Sequence, residues 1–172
     1  MRWMWIDRVL ELVPRERVVA IKHVSLAEDY LHDHFAGDSR RPGMAIMPAS
    51  LILEGVAQAG GIIVGDVSGY KEKVVLAKIG RAELTRDATP GCTLRYTVTI
   101  VQIADAGAST EALIELRQPT DPAGRFEKIG EVSLMFSHLD RNMAGLEFPD
   151  ANFVYGEAFA TLLRSSGIEP PC

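Results

Sequence analysis

The chain has 172 residues, of which 47% are hydrophobic, and its formal net charge is -5. This length and composition fit one domain with a sizeable core. A nucleic-acid partner is not expected, because such binders need a basic stripe and the lysines and arginines here are scattered. Cys92 and Cys172 lie too far apart in sequence for a metal pair, and two cysteines suit a reducing cytoplasm. Motifs typical of metal and nucleotide sites are absent from the sequence, so we expect no metal and no cofactor.

The first 43 residues predict a strand pair followed by a loop. Branched residues at 9–13 and 18–21 flank a turn at Pro14, which favours two strands, with a helix over 6–12 as the alternative. If the start is extended, Trp3 and Trp5 share one face, as in core or interface packing. The polar segment AEDYLHDHFAGDSRRPG then predicts a short helical turn and a loop with two histidines. Loops on a rigid scaffold commonly carry chemistry.

Residues 44–66 form an almost entirely apolar run with one central carboxylate, Glu54. Pro48 suits the first turn of a helix, and Gln58 lies one turn after Glu54 on the same face. A membrane span of about 20 apolar residues is the alternative. The central charge and four glycines argue against it and favour a helix covered on all sides inside a soluble fold; the glycines are Gly55, Gly60, Gly61 and Gly65.

The second half of the chain predicts antiparallel strands. Residues 74–84 form an apolar run, and 92–103, 109–118 and 126–138 alternate apolar and polar side chains between short turns. The tail holds a short predicted helix at 155–164 that stops at Gly167. We therefore predict one α+β domain over residues 1–172, a sheet wrapped around a long central helix, with 140–172 as a C-terminal extension.

Three segments carry a resemblance to a known family. These are His34-Phe35-Ala36-Gly37, Ile46-Met47-Pro48-Ala49, and a helix in which Leu51, Glu54, Ala57 and Gln58 are in the family pattern. From about residue 5 to 138 the chain resembles the 3-hydroxyacyl-acyl carrier protein dehydratases, which have the hot-dog fold. The resemblance implies a cytoplasmic enzyme of fatty acid or related lipid biosynthesis, a homodimer or a trimer of dimers without a membrane partner. Its substrate would be a (3R)-hydroxyacyl thioester on acyl carrier protein, converted to the trans-2-enoyl thioester.

The resemblance also assigns catalytic roles. His34 would remove the proton next to the carbonyl, since a histidine pKa of about 6.5 suits a base at neutral pH. Glu54 would protonate the departing hydroxyl, because apolar surroundings favour the protonated carboxyl. The pair would come from two protomers. Backbone amides of Ala49 and Ser50 would bind the enolate oxygen at the helix amino terminus. No cofactor is required for an elimination without redox change.

Two further assignments complete the expected site. Gln58 would support the acid, with a core amide bonded to backbone as the alternative. Phe35, Met47 and Leu53 would line a tunnel for the acyl chain. The chain departs from the family pattern in two places. His34 and Glu54 stand twenty positions apart, which implies an insertion within GDSRRPGMA, and Ala36 replaces the proline of the family's HFPG.

That insertion leaves alternatives open. An alignment anchored on the helix puts Arg40 at the place of the catalytic histidine, whereas HDHF keeps the His-Phe pair at His34 and leaves His32 as a second candidate. Arg40 and Arg41 are also candidates for receiving an acidic carrier protein, or simply solvated loop charges. Two other functions remain: thioester hydrolysis by the helix carboxylate, and non-catalytic acyl binding with an altered histidine loop.

Overall fold

The computed structural model describes residues 4–33, 35–139 and 154–169. Within these ranges an antiparallel sheet and three helices are formed. The strands are β1 (Arg8–Val13), β2 (Arg17–His23), β3 (Val74–Leu84), β4 (Thr93–Ala104), β5 (Gly107–Arg117) and β6 (Glu127–His138). The helices are α1 (Tyr30–Asp33), α2 (Ala49–Val67) and α3 (Glu157–Ser165). The strand order is β1-β2-β4-β5-β6-β3, and α2 packs against β2 to β6.

The predicted strands are confirmed, and their alternation sets the core face. Leu94, Tyr96 and Val98 of β4 are fully buried, while the residues between them are more exposed. The inward residues of β5 and β6 continue the same surface toward β3. The helix alternative for residues 6–12 is wrong, because β1 pairs in antiparallel fashion with β2. The sheet therefore offers one apolar face to α2.

Helix α2 is the predicted central helix, and it begins at Ala49, directly after Pro48. Among the described helices it alone is long and apolar enough to cross a membrane. However, 61% of its most apolar stretch is buried inside the fold. Glycines permit this close packing. A Cβ on Gly55 would lie 2.8 Å from the Trp5 carbonyl oxygen, and one on Gly60 would lie 2.5 Å from the Phe136 ring.

Helix α3 confirms the short helix predicted in the tail. Gly167, just past its end, has a φ of +77°, which suits the expected glycine stop. Leu162 and Leu163 are buried, and the Ser166 hydroxyl accepts a 3.0 Å hydrogen bond from the Val9 amide. The tail thus packs beside β1, while residues 140–153 of the predicted extension lie outside the described residues.

Strands β1 and β3 form the two edges of the sheet. Most of β3 is exposed, and its apolar Leu76 and Ile79 are 38% and 43% accessible. An edge with free backbone groups and exposed apolar side chains is a surface on which another strand can pair.

Candidate active site

The Glu54 side chain lines a cavity of about 320 Å³ along one face of α2. The helix contributes Glu54, Ala57, Gln58, Gly61 and Ile62, a spacing that places all five on one side of the helix. The remaining walls come from the start of the chain, from β3 and β6, and from the tail, with Met4, Val74, Leu76, Phe136, Val154, Tyr155, Phe159 and Leu162. Glu54 and Gln58 therefore form the polar part of a largely apolar cavity.

Gln58 holds Glu54 in a fixed orientation. The main-chain N–H of Trp5 donates a 2.8 Å hydrogen bond to Gln58 Oε1. Because that N–H can only donate, the Gln58 oxygen faces Trp5 and the Nε2 faces Glu54. Nε2 donates to Glu54 Oε1 at 3.1 Å. When Glu54 is protonated, its proton therefore sits on the other oxygen, Oε2.

The amino terminus of α2 offers free donors. Pro48 caps the helix without a side-chain hydrogen bond, and its carbonyl accepts from Leu51 and Ile52. The amides of Ala49 and Ser50 make no hydrogen bond to any group in the described ranges, and both residues are exposed. These two amides and the helix dipole can bind a negatively charged oxygen.

Ala49 lies beside a second depression, of about 280 Å³, and not in the cavity of Glu54. Its other walls include Met47 and the stretch after β3, with Ile52, Leu84, Thr85, Arg86 and Asp87. Glu54 and Ala49 thus line different cavities of one chain.

The inserted loop closes on itself. The Met44 amide donates a 3.0 Å hydrogen bond to the Phe35 carbonyl, so residues 36–43 are looped out between two adjacent ends. Inside the loop, Asp38 Oδ1 accepts from the amides of Arg40 and Arg41 at 2.7 and 2.9 Å. Both arginines are exposed. The chain can therefore carry the extra residues without displacing the start of α2.

His34 lies outside the described residues, immediately before this loop. The alternative histidine, His32, is exposed, and its Nε2 lies 2.7 Å from the Leu26 carbonyl. Since a carbonyl only accepts, His32 uses its Nε2–H to fix the local turn. That bond gives His32 a structural role in holding α1.

A buried lysine with two partly exposed carboxylates anchors α1, and the sequence reasoning missed this cluster. Lys22 on β2 is 4% exposed, and its Nζ lies 3.2 Å from Asp7 and 2.5 Å from Glu28. The Tyr30 hydroxyl donates to Glu28, and the Tyr30 ring packs edge-on against Trp5. The alternation of β2, in which Lys22 follows Val18 and Ala20 on the inward face, was the available signal.

The residues predicted to line the acyl tunnel lie elsewhere than the cavity of Glu54. Met47 is buried before α2, Leu53 is half-buried, and Phe35 is 40% exposed. The tail residues that do line the cavity carried no recognisable sequence signal, because they stand about a hundred positions from Glu54.

Burial affects another group near the cavity. It raises the pKa of the Tyr155 hydroxyl above its usual range, with a smaller contribution from Tyr70. Tyr155 is therefore a neutral donor, and it bonds the Gly61 carbonyl at 2.9 Å. Among the described residues no group of three histidine, cysteine or acidic side chains is arranged to hold a metal ion. The chemistry available in the cavity is proton transfer by one oriented carboxyl next to an apolar space.

Comparison with known proteins identifies relatives of this chain. Residues 2–117 match the model of the FabA-like domain. A 3-hydroxyacyl-[acyl-carrier-protein] dehydratase FabZ of Clostridium kluyveri is 33% identical over 144 residues, which cover 81% of this chain and 88% of that protein. The protein of the same name from Koribacter versatilis is 37% identical over 98 residues, which cover 56% of this chain and 59% of that relative.

The fold has solved counterparts as well. A thioesterase family protein from Silicibacter pomeroyi superposes with a TM-score of 0.58 at 12% identity, over 76% of this chain and 82% of that one. At that identity the match concerns the fold alone, the hot-dog fold. Taken with the family model, which covers more than half of the sequence, the chain belongs to the FabA-like family.

Proposed function

We propose that this protein dehydrates a (3R)-3-hydroxyacyl thioester, carried on acyl carrier protein, to the trans-2-enoyl thioester in fatty acid biosynthesis. The observation that carries the proposal is the Glu54 carboxyl, oriented by Gln58 and opening into an apolar cavity on the helix that the family model covers. Relatives named as 3-hydroxyacyl-[acyl-carrier-protein] dehydratases support the choice of substrate.

The proposed reaction is an elimination of water, in which one residue removes a proton and a second residue supplies another. His34 takes the proton from C2, and electrons move toward the thioester oxygen. The bond between C3 and its hydroxyl then breaks, Glu54 Oε2 gives its proton to that hydroxyl, and water leaves as the C2–C3 double bond forms. The amides of Ala49 and Ser50 stabilise the enolate oxygen, since they are free donors at a helix amino terminus.

We propose that a complete site is shared by two protomers. Glu54 and Ala49 open to different cavities of one chain, so one site that contains both an acid and an enolate-binding amide needs a second copy. The exposed β3 edge, with Leu76 and Ile79, is the surface proposed for pairing. A homodimer follows from this proposal, and a trimer of dimers is its extension. We also propose that the protein acts in the cytoplasm.

The carrier protein is proposed to approach at the inserted loop. Arg40 and Arg41 are exposed there, and their backbone is fixed by Asp38. Charge reversal of both should slow turnover of carrier-bound substrate and leave a free pantetheine thioester unaffected. Arg125→Glu, an exposed reversal on another loop, is the matched control. Equal rates for the Arg40 and Arg41 double variant and wild type on carrier-bound substrate would refute this assignment.

The deciding experiment is incubation with a 3-hydroxyacyl-carrier thioester, read by formation of the enoyl product. His34→Ala and Glu54→Gln should each abolish product while the fold is retained, as checked by circular dichroism. Release of a free thiol without enoyl product would mean hydrolysis. Binding with neither product would mean a non-catalytic acyl-binding protein.

The shared site has a test of its own. His34→Ala and Glu54→Ala subunits are unfolded together and refolded as a mixture. In mixed dimers one site keeps both residues, so about a quarter of the wild-type activity should return if the pairing is random. If each site lies within one chain, the mixture stays inactive. Each variant refolded alone is the control.

A further inference from the structure

The tail of the chain lines the cavity of Glu54. Tyr155, Phe159 and Leu162 form one wall of it, next to the α2 residues Glu54 and Gln58. All three lie beyond residues 2–117, the part of the chain that matches the family model. The wall thus comes from outside the part of the chain that the family model matches.

The wall is held in place at several points. The Tyr155 hydroxyl donates to the Gly61 carbonyl at 2.9 Å, and the Tyr155 ring sits where a Cβ on Gly65 would be. Tyr155 also packs on Tyr70 and Phe159, with ring centroids 5.0 and 4.8 Å away. Aromatic contacts of this kind fix ring positions. A helix anchored in this way presents a defined surface to the cavity.

The cavity has the character of a site for a hydrocarbon chain. Its polar groups lie together at Glu54 and Gln58, while the side chains of Ile62, Leu76 and Phe159 are apolar. Its volume of about 320 Å³ is at the lower end of the range of about 300–1,000 Å³ for small-molecule sites. An acyl chain that begins at Glu54 would therefore run along α2 and meet the tail.

We propose that the tail segment with Tyr155 and Phe159 ends the acyl-binding site and sets the longest acyl chain that this protein accepts. The inference rests on the proposed function for its substrate class and adds the residues that determine chain length. Gly61, opposite this wall, keeps the path open because it has no side chain.

Two variants change the cavity in opposite directions. Phe159→Ala removes a wall and should shift the preference toward longer chains. Gly61→Val fills the space, and it can be built because a Cβ at Gly61 has no other atom within 4 Å. It should shift the preference toward shorter chains. One methylene group in an apolar pocket changes selectivity by about 10-fold or more, so each shift is measurable.

Leu163→Ala is the matched control for Phe159→Ala. Leu163 is a buried residue of α3 that does not line the cavity, so its truncation loosens the same helix without widening the site. The chain-length profile of Leu163→Ala should equal that of wild type. If Phe159→Ala fails to fold, Gly61→Val still decides, because the Cβ added at Gly61 lies in open space.

The measurement has two readouts on the full-length protein. The first is kcat/KM for 3-hydroxyacyl-carrier thioesters of increasing length. The second is the dissociation constant of saturated S-alkyl pantetheine thioethers, which cannot undergo elimination, measured by calorimetry. If wild type binds these thioethers and the variants shift the profile, but no substrate turns over, the proposed function fails and the inference stands. Unchanged profiles in the folded variants, or shifts common to Leu163→Ala, overturn the inference.

Discussion

The main-chain amide of Trp5 holds the side-chain oxygen of Gln58 at 2.8 Å, across 53 positions of sequence. This bond decides which way the Gln58 amide faces, and it directs the Nε2 donor at Glu54. The start of the chain therefore orients the proposed acid without touching it. Trp5 also packs on Tyr30 of α1, the short helix that ends just before His34. One residue thus contacts both the support of Glu54 and the segment that leads to His34.

Two substitutions at Gln58 separate orientation from stability. Gln58→Glu keeps an acceptor for Trp5 but presents an acceptor to Glu54 in place of a donor. We expect retained stability and a kcat reduced by about 10-fold or more. The alkaline limb of the profile of kcat against pH should move to higher pH, because two adjacent carboxyls hold a shared proton more tightly. Gln58→Leu leaves the Trp5 amide without this acceptor and should cost about 1–3 kcal/mol of unfolding free energy. Wild-type kcat in Gln58→Glu would show that Glu54 needs no donor.

The closed form of the inserted loop depends on Gly37. A Cβ there would lie 2.5 Å from the Gly43 amide nitrogen and 3.0 Å from the Arg41 carbonyl oxygen. Gly37→Ala should therefore open the loop next to His34 and lower kcat/KM by about 10-fold to 100-fold. Its melting temperature should match that of wild type, since the loop is exposed.

Ser39→Ala, an exposed change in the same loop, is the control and should leave kcat/KM unaltered. Full activity of Gly37→Ala would mean that the loop conformation has no influence on the site.

Two glycines one turn apart in α2 should respond in opposite ways to alanine. Gly61→Ala adds a Cβ into open space and should stabilise the helix by about 0.5–1 kcal/mol. Gly65→Ala places a Cβ 2.2 Å from the Tyr155 hydroxyl and should destabilise the fold by about 1–3 kcal/mol, because Tyr155 must move. Denaturant unfolding measures both, and a stability change of the same sign would contradict the docking of the tail.

The protein should lose stability in alkali through its four tyrosines. Burial is the largest cause that raises the pKa of Tyr30, Tyr70, Tyr96 and Tyr155 above the usual value of about 10. The unfolded chain therefore releases these protons first. The stability they contribute is present below about pH 10 and decreases as the pH rises beyond it. Tyrosinate absorbance should appear together with unfolding, and a smooth titration near pH 10 in the folded protein would contradict this.

The sequence predicted the elements well because their signals are local. A period of two in residues 92–103 and the apolar run around Glu54 each reflect the surroundings of one element, so β4 and α2 lie where expected. Helical spacing predicted that Gln58 shares a face with Glu54. The two expected contacts of Gln58 occur together, because it bonds both the Glu54 carboxyl and the Trp5 main-chain amide. The inserted loop was also predicted, because His34 and Glu54 stand farther apart than the family pattern requires.

A local sequence pattern does not identify which residues from distant parts of the chain will be in contact. The acyl lining expected at Phe35, Met47 and Leu53 is one example, since the cavity of Glu54 instead takes its walls from β3, β6 and the tail. Lys22 is another, because its inward position looks unfavourable until Asp7 and Glu28 are brought beside it.

The sequence by itself determined that a long apolar helix with one supported carboxyl lies inside an antiparallel sheet. Only the tertiary structure decided that Trp5 orients Gln58, that residues 36–43 close on themselves, and that the tail walls the cavity. The physical reason is that sequence periodicity indicates how much each residue is buried, whereas a site depends on which residues are in contact. Chain topology and packing over long sequence separations determine those contacts.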